Sequence, residues 1–234
     1  MPAYKTLKEE ACEANLEIPR RGLAIYTWGN VSAFDPDKGV FAIKPSGVSY
    51  DRLTPDSMVV LDLDGAKVEG DLNPSSDTET HRVLYRSFAG IRGITHTHSV
   101  YAVAWAQARR SVAVYGTTHA DHAAGEIPCT GIMSPEAVQN NYERETGNLI
   151  VATFRSKNID PGETPMVLVA GHGPFTWGIS AAKSVYHGTV LEEVCKMACL
   201  TLSIDSAAQP LPRHIINKHW ERKHGPGAYY GQKG

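Results

Sequence analysis

The sequence predicts an α/β protein whose sheet has antiparallel parts, and three observations carry that reading. Short apolar runs of four to six residues end repeatedly in small polar residues, as Val40-Phe41-Ala42-Ile43 does before Lys44-Pro45-Ser46-Gly47. Between them lie longer segments whose apolar residues return every three to four positions, the spacing of a helix with one buried face. Asp64-Gly65, set between Met58-Val59-Val60-Leu61-Asp62-Leu63 and Ala66-Lys67-Val68-Glu69-Gly70, is a two-residue hairpin signal, which makes those strands antiparallel neighbours. With 234 residues, 42% of them hydrophobic, the chain is expected to form one domain over 1–234 with a substantial core.

Taken in order, residues 4–18 set Leu7, Ala11, Ala14, Leu16 and Ile18 among Lys and Glu, an amphipathic helix that Pro19 is expected to end. Ile25-Tyr26-Thr27-Trp28 reads as a strand leading into Gly29-Asn30-Val31-Ser32, and residues 40–43 read as the next. Asp77 stands before a helix through Val83, Leu84 and Phe88, where it would serve as a cap. Ile91 to Thr95 is a third strand, and Ser99 can cap a helix over 100–108. Gly116 to His122 reads as a polar loop. Residues 134–158 form a long helix opened by Ser134-Pro135, and residues 166–170 pair with Phe175-Thr176-Trp177-Gly178 as a hairpin. Ser180 caps the last large helix, where Val185, Val190, Val194 and Ala198 keep helical spacing. Residues 213–224 are basic and read as a solvated face, although the adjacent Tyr229 and Tyr230 suggest a tail ordered against something.

Charge and composition narrow the function. A formal net charge of -2 supplies no basic field for nucleic acid, and no apolar run is long enough to span a bilayer, so a small soluble ligand is expected. Met1-Pro2-Ala3-Tyr4-Lys5 leads into a charged amphipathic segment rather than an apolar signal region, which points to the cytoplasm. There, Cys12, Cys129, Cys195 and Cys199, lacking Cys-x-x-Cys spacing, read as core thiols.

The stretch richest in chemistry is His96-Thr97-His98. On a strand these two imidazoles share a face, and neutral imidazole is the commonest ligand of a borderline metal such as zinc. His172 stands between Gly171 and Gly173 at a strand end, where a ligand can approach, and is the third candidate. The turns at 29–32 and 44–47 end strands in Gly, Asn and Ser, with Lys44 beside them, and together form a candidate phosphate pocket. Ser75, Ser76 and Asp77 gather hydroxyls and a carboxylate at a helix N-terminus, a site for an anion or a metal. Read alone, each of these is an ordinary turn, a helix cap or a buried histidine.

In this order, Trp28-Gly29-Asn30-Val31-Ser32, Lys44-Pro45-Ser46-Gly47, Pro74-Ser75-Ser76-Asp77, His96-Thr97-His98-Ser99, Gly116-Thr117-Thr118-His119-Ala120-Asp121, His172-Gly173-Pro174 and Tyr229-Tyr230-Gly231 make the chain resemble the class II sugar-phosphate aldolase family, in its ribulose-phosphate 4-epimerase branch. The resemblance implies a three-layer α/β/α fold around a mainly antiparallel sheet and a homotetramer with sites between subunits. It makes His96, His98 and His172 ligands of one divalent ion, zinc in the first instance, with Mn2+ or Co2+ as substitutes and Asp77 on or beside it. Gly29, Asn30, Lys44, Ser46, Gly47, Ser75 and Ser76 would surround the substrate phosphate. Asp121 and Tyr230 would be the acid/base pair, the latter on the tail 225–234, with Thr117, Glu143, His219 and Arg222 nearby. The implied reaction interconverts L-ribulose 5-phosphate and D-xylulose 5-phosphate, as in arabinose catabolism. A family aldolase of the fuculose- or rhamnulose-phosphate type is the alternative; such aldolases carry a glutamate where Asp77 stands, and the shorter side chain favours the epimerase. A metal-stabilised binding protein would keep the histidines but have no need of Asp121 or Tyr230.

Overall fold

The computed structural model describes residues 3–229. Helix α1 (Lys5–Arg20) buries Leu7, Ala11, Ala14 and Ile18, as their spacing predicts. It does not stop at Pro19, which sits inside its last turn. Proline there lacks one N–H and crowds one carbonyl, and so close to the end few helical bonds remain to be lost. The stop comes from Gly22 at φ +72°: its N–H bonds to Pro19 O at 3.0 Å while Leu23 N–H bonds to Ile18 O at 2.9 Å. These are the paired bonds that close a helix on a left-handed residue.

The remaining elements are β1 (Asn30–Asp35), β2 (Val40–Ile43), β3 (Val59–Asp62), β4 (Lys67–Glu69), α2 (Thr78–Ser87), β5 (Gly93–His96), α3 (Val100–Gln107), α4 (Thr117–Ala120), α5 (Pro135–Ser156), β6 (Met166–Leu168), β7 (Pro174–Gly178), α6 (Ala181–Ile204) and α7 (Arg213–His224). The strands form one seven-stranded sheet ordered β4-β3-β2-β1-β5-β7-β6, antiparallel at every pairing. Strand alternation divides its residues between two cores. Val40 and Ala42 face α1 and α6, whereas Phe41 and Ile43 join Leu84, Tyr85, Ile150 and Phe154 of α2 and α5. With α3 packed beside α6 against Met166 and Leu168, helices α1, α3 and α6 cover one face and α2 and α5 the other, the three α/β/α layers expected from the resemblance.

Several further local readings need correction. Ile25 to Trp28 is a turn, not a strand: Trp28 N–H bonds to Ile25 O at 3.1 Å and Tyr26 has φ +55°, so the β preference of Ile, Tyr and Trp finds no partner strand to act on. Strand β1 instead starts at Asn30. His98 lies past the end of β5, so the loop after the strand, not the pleat, carries it beside His96. Residues 117–120 of the expected loop close into the short helix α4. The basic run 213–224 is helix α7, and Tyr229 N–H folds back onto Arg222 O at 3.1 Å. Cys12, Cys129 and Cys195 are buried free thiols, as expected, but Cys199 is exposed. Among the described residues no helix is long and apolar enough to cross a membrane.

Candidate active site

Antiparallel neighbours run in opposite directions, so the ends of β2 and β5 meet the starts of β1 and β7 at one edge of the sheet. The register pairs Asn30 with His96, Ser32 with Ile43 and His96 with Phe175. Lys44, Asn30, His96 and the His172-Gly173-Pro174 corner are therefore gathered at that edge by strand pairing alone. Two glycines permit the crowding. A Cβ on Gly29, which has φ +80°, would fall 2.7 Å from His96 O, and one on Gly173 would fall 2.8 Å from Thr97 O.

His96, His98 and His172 each offer a ring nitrogen, and the three lie within 4.8 Å of one another. His96 Nε2 and His98 Nε2 are 3.1 Å apart, close to the roughly 3.3 Å that two ligands of a tetrahedral ion adopt at bonds of about 2.05 Å. His96 donates its other nitrogen, Nδ1, to Pro174 O at 2.9 Å, the backbone contact that fixes a ligating tautomer and leaves Nε2 as the lone pair. His172 Nδ1 is buried and has no hydrogen-bond partner among the described residues. Burial pushes His172 down to about 4, with His96 adding to the effect, and burial lowers His98 as well. Three convergent and partly unpaired rings, with His98 and His172 shifted toward the neutral, ligating form, fit a divalent ion.

Asp77 occupies the cap position of α2, yet its carboxylate makes no capping bond. Instead its Oδ2 accepts from Asn30 Nδ2 at 2.7 Å and lies 4.0 Å from His96 Nε2. Burial works to raise its pKa, but His96, His81 and the Asn30 bond outweigh it and keep the group a carboxylate. The choice between cap and site residue is thus decided by where the side chain goes. His81, one helical turn on, was not singled out from the sequence. It is fully buried, with Nδ1 2.7 Å from Ser32 Oγ, which is itself 2.7 Å from Tyr85 OH, while His81 Nε2 has no partner among the described residues. Burial pushes His81 down to about 3. Its signal was its place four residues after Asp77, on the same helix face.

Lys44 is 2% exposed, and burial alone brings its ammonium down to about 8. Among the described residues no carboxylate pairs with it; its nitrogen has a long contact of 3.4 Å to Pro45 O and sits 5.2 Å from the centre of the Tyr50 ring. A buried, unpaired ammonium fits an anionic ligand. The turn beside it is joined to residues 73–76 through the Pro45 and Pro74 bridge, with Ser46 N–H on Asn73 O at 2.9 Å and Ser75 N–H on Lys44 O at 3.0 Å. Those two N–H groups are therefore taken, and the turn offers an anion less backbone than the sequence suggested. Ser46, Gly47 and Ser76 are exposed beside it, while Ser75 is buried, its carbonyl accepting from Thr78 Oγ1 at 2.6 Å.

Asp121 belongs to different surroundings. It ends α4 and accepts from Arg222 at both oxygens, at 3.0 and 2.6 Å, with His219 Nδ1 at 3.0 Å and Lys223 at 3.5 Å. Burial works to raise its pKa, but Arg222 and His219 outweigh it and lower it. None of its described contacts reaches the three histidines. Thr117 opens α4, and Glu143 on α5 receives Thr80 Oγ1 at its backbone carbonyl at 2.6 Å. Tyr230 lies outside the described residues.

A sheet of this topology with a histidine trio at its edge defines a class, and comparison with known proteins agrees. The family described as Class II Aldolase and Adducin N-terminal domain matches residues 9–199, and the chain belongs to it. An L-ribulose-5-phosphate 4-epimerase UlaF of Salmonella paratyphi C (strain RKS4594) is 49% identical over 227 residues, 97% of this chain and 99% of that protein. The protein of the same name from Salmonella typhi is 48% identical over the same shares. Among solved structures, an L-fuculose 1-phosphate aldolase superimposes with TM-score 0.79 at 22% identity, covering 94% of this chain and 97% of its own. The L-fuculose-1-phosphate aldolase from Thermus thermophilus gives 0.66 at 24% identity, over 87% and 99%. These structures share the fold.

Proposed function

We propose that this chain is an L-ribulose-5-phosphate 4-epimerase, a metal-dependent isomerase acting on a phosphorylated ketopentose. The observation that carries the reading is that one sheet edge holds both a trio of convergent histidines and a buried lysine without a counter-ion among the described residues. Identity of 49% with a named epimerase along 97% of the chain supports the substrate assignment.

The substrate's chemistry explains the residue types. Its carbonyl is carbon 2, so the carbon 4 hydrogen is not α to it and simple deprotonation cannot invert that centre. Removing the carbon 4 hydroxyl proton lets its electron pair form an aldehyde as the bond between carbons 3 and 4 breaks, and those electrons pass to the carbon 2 oxygen. The fragments are a dihydroxyacetone enediolate and glycolaldehyde phosphate. A divalent ion, zinc by preference, held by His96, His98 and His172, supplies Lewis-acid stabilisation of that charge. Asp77, kept ionised by its neighbours and oriented by Asn30, stands beside or on the ion. Lys44, with Gly29, Ser46, Gly47, Ser75 and Ser76 around it, retains the phosphate-bearing fragment while the aldehyde turns over. Asp121 and Tyr230 serve opposite faces, one taking the hydroxyl proton and the other returning it after the bond re-forms.

Asp121 is paired with α7 and makes no described contact with the histidines, which supports a composite site in which it and Tyr230 reach the metal centre of a neighbouring copy. A homotetramer of one-domain chains completes the proposal, within pentose metabolism of the arabinose type. Incubating the purified protein with L-ribulose 5-phosphate should yield D-xylulose 5-phosphate. Accumulation of free glycolaldehyde phosphate without the epimer would favour instead an aldolase, the activity named for the fold's solved neighbours.

A further inference from the structure

Tyr50 has no part in the reaction as derived, yet it touches both halves of the site. It is buried just after the 44–47 turn, and the Lys44 ammonium stands 5.2 Å from its ring centre. Its hydroxyl donates the other way, to Trp28 O at 2.5 Å with Gly29 O at 3.1 Å. Those carbonyls belong to the turn that interrupts the expected first strand. The turn lies against the metal histidines: the Trp28 ring is 6.2 Å from the His98 ring, and Gly29 passes so close to His96 O that a Cβ would lie 2.7 Å away. Trp28 is nevertheless 50% exposed, and Tyr26, whose ring contacts it edge-on, is exposed too.

We propose that Tyr50 is a positioning residue that couples the phosphate lysine to the metal centre, its ring seating the Lys44 ammonium and its hydroxyl holding the Trp28-Gly29 turn against His98 and His96. A cation is attracted to the face of an aromatic ring, so an anion that fixes Lys44 also fixes the tilt of Tyr50. A buried phenol cannot drop its hydrogen bond without loss, so the tilt is passed to the carbonyls it holds. Phosphate occupancy is thereby felt at the wall beside His98. This rests on the reading of Lys44 as the phosphate ligand.

Inorganic phosphate is the probe, added to the purified metal-bearing protein while heat of binding and tryptophan emission are recorded. The chain has four tryptophans, so a Trp28→Phe protein isolates the emission of Trp28. Lys44→Met should lose both phosphate binding and the emission change. Tyr50→Phe, which keeps the ring, should bind phosphate within about threefold of the parent but lose most of the Trp28 response, and its kcat should fall about tenfold with KM little changed. If Lys44→Met binds phosphate as the parent does, the reading of Lys44 falls and the coupling with it. If Lys44→Met loses phosphate while Tyr50→Phe keeps the full Trp28 response, the coupling alone is overturned. Should Tyr50→Phe fold poorly, 3-fluorotyrosine at position 50 gives a second readout. Its fluorine resonance should move on phosphate addition in the parent and not in Lys44→Met, and a resonance unmoved in both overturns the proposal.

Discussion

Two regions of this molecule concentrate charged and titratable side chains, and they differ in how far those side chains are satisfied. Around His96 and Asp77 the groups are buried or partly buried, apart from the exposed His98, and incompletely paired: His172 Nδ1, His81 Nε2 and Asn30 Oδ1 have no partner among the described residues, and Lys44 has no counter-ion there. Around Asp121 the carboxylate is saturated, with Arg222, His219 and Lys223 converging on it. Burying an unmatched polar group costs stability, so a fold that retains several in one place retains them for a ligand. A saturated cluster needs no ligand to persist. Such a rigid mount for Asp121 is what the proposed composite site would require.

The sharpest way to break this contrast is to empty the open region. His96→Ala should lower turnover of L-ribulose 5-phosphate on the order of a thousandfold, the equivalent of several kcal/mol of Lewis-acid stabilisation, as steady-state assay would measure. Near-parental turnover would remove the histidines from the chemistry. Next in size is the loss of a proposed proton-transfer group, about a hundredfold for Asp121→Asn in the closed region and about as much for Tyr230→Phe. If these groups act across a subunit boundary, mixed oligomers of His96→Ala and Tyr230→Phe should recover activity well above either parent, because some interfaces then hold an intact set. Mixed oligomers verified by native mass spectrometry that stay inactive would place Tyr230 within its own chain.

Much of the open region was legible in the sequence because several of its residues carry a signal in their own immediate stretch of chain. His96 and His98 are two apart, His172 is bracketed by glycines, and Lys44 opens a Pro-Ser-Gly turn. His96 and His98 do converge, but not by sharing a strand face, since His98 lies beyond β5. His81, Ser32 and Tyr50 escaped notice because their roles depend on what a neighbouring element brings to them. Nothing local separates a buried Tyr50 from any core tyrosine. Strand 25–28 failed for the same reason, because Ile, Tyr and Trp make a strand only where a partner strand is supplied. Asp121 was legible as a candidate acid, but its side-chain contacts to α7 come from residues some hundred positions away, in a segment that looked like a solvated basic face.

A smaller effect should appear with pH. Burial lowers Lys44 to about 8, so in the free protein its ammonium loses its proton as pH rises through that value. The charge that holds phosphate is present below it and lost above it. The kcat/KM for the phosphorylated substrate should therefore decline above pH 8, while kcat, which reports the complex in which phosphate keeps Lys44 charged, declines less. Lys44→Met should lower kcat/KM and flatten that limb; an unchanged limb would assign it to another group. The smallest effect on turnover is expected from Ser32→Ala, which leaves His81 Nδ1 and Tyr85 OH without their shared partner. Thermal or denaturant unfolding should register a loss of about 1–3 kcal/mol, with metal content kept. An unchanged midpoint would mean that the buried chain contributes nothing to the fold.

Metal titration of the stripped protein tests the contrast between the two regions most directly, with elemental analysis and turnover of L-ribulose 5-phosphate followed on the same samples. The account predicts one divalent ion per chain, turnover rising in proportion to bound metal, binding lost in His96→Ala and kept in Asp121→Asn. Full turnover in protein shown to be metal-free, or metal kept by His96→Ala and lost by Asp121→Asn, would contradict it.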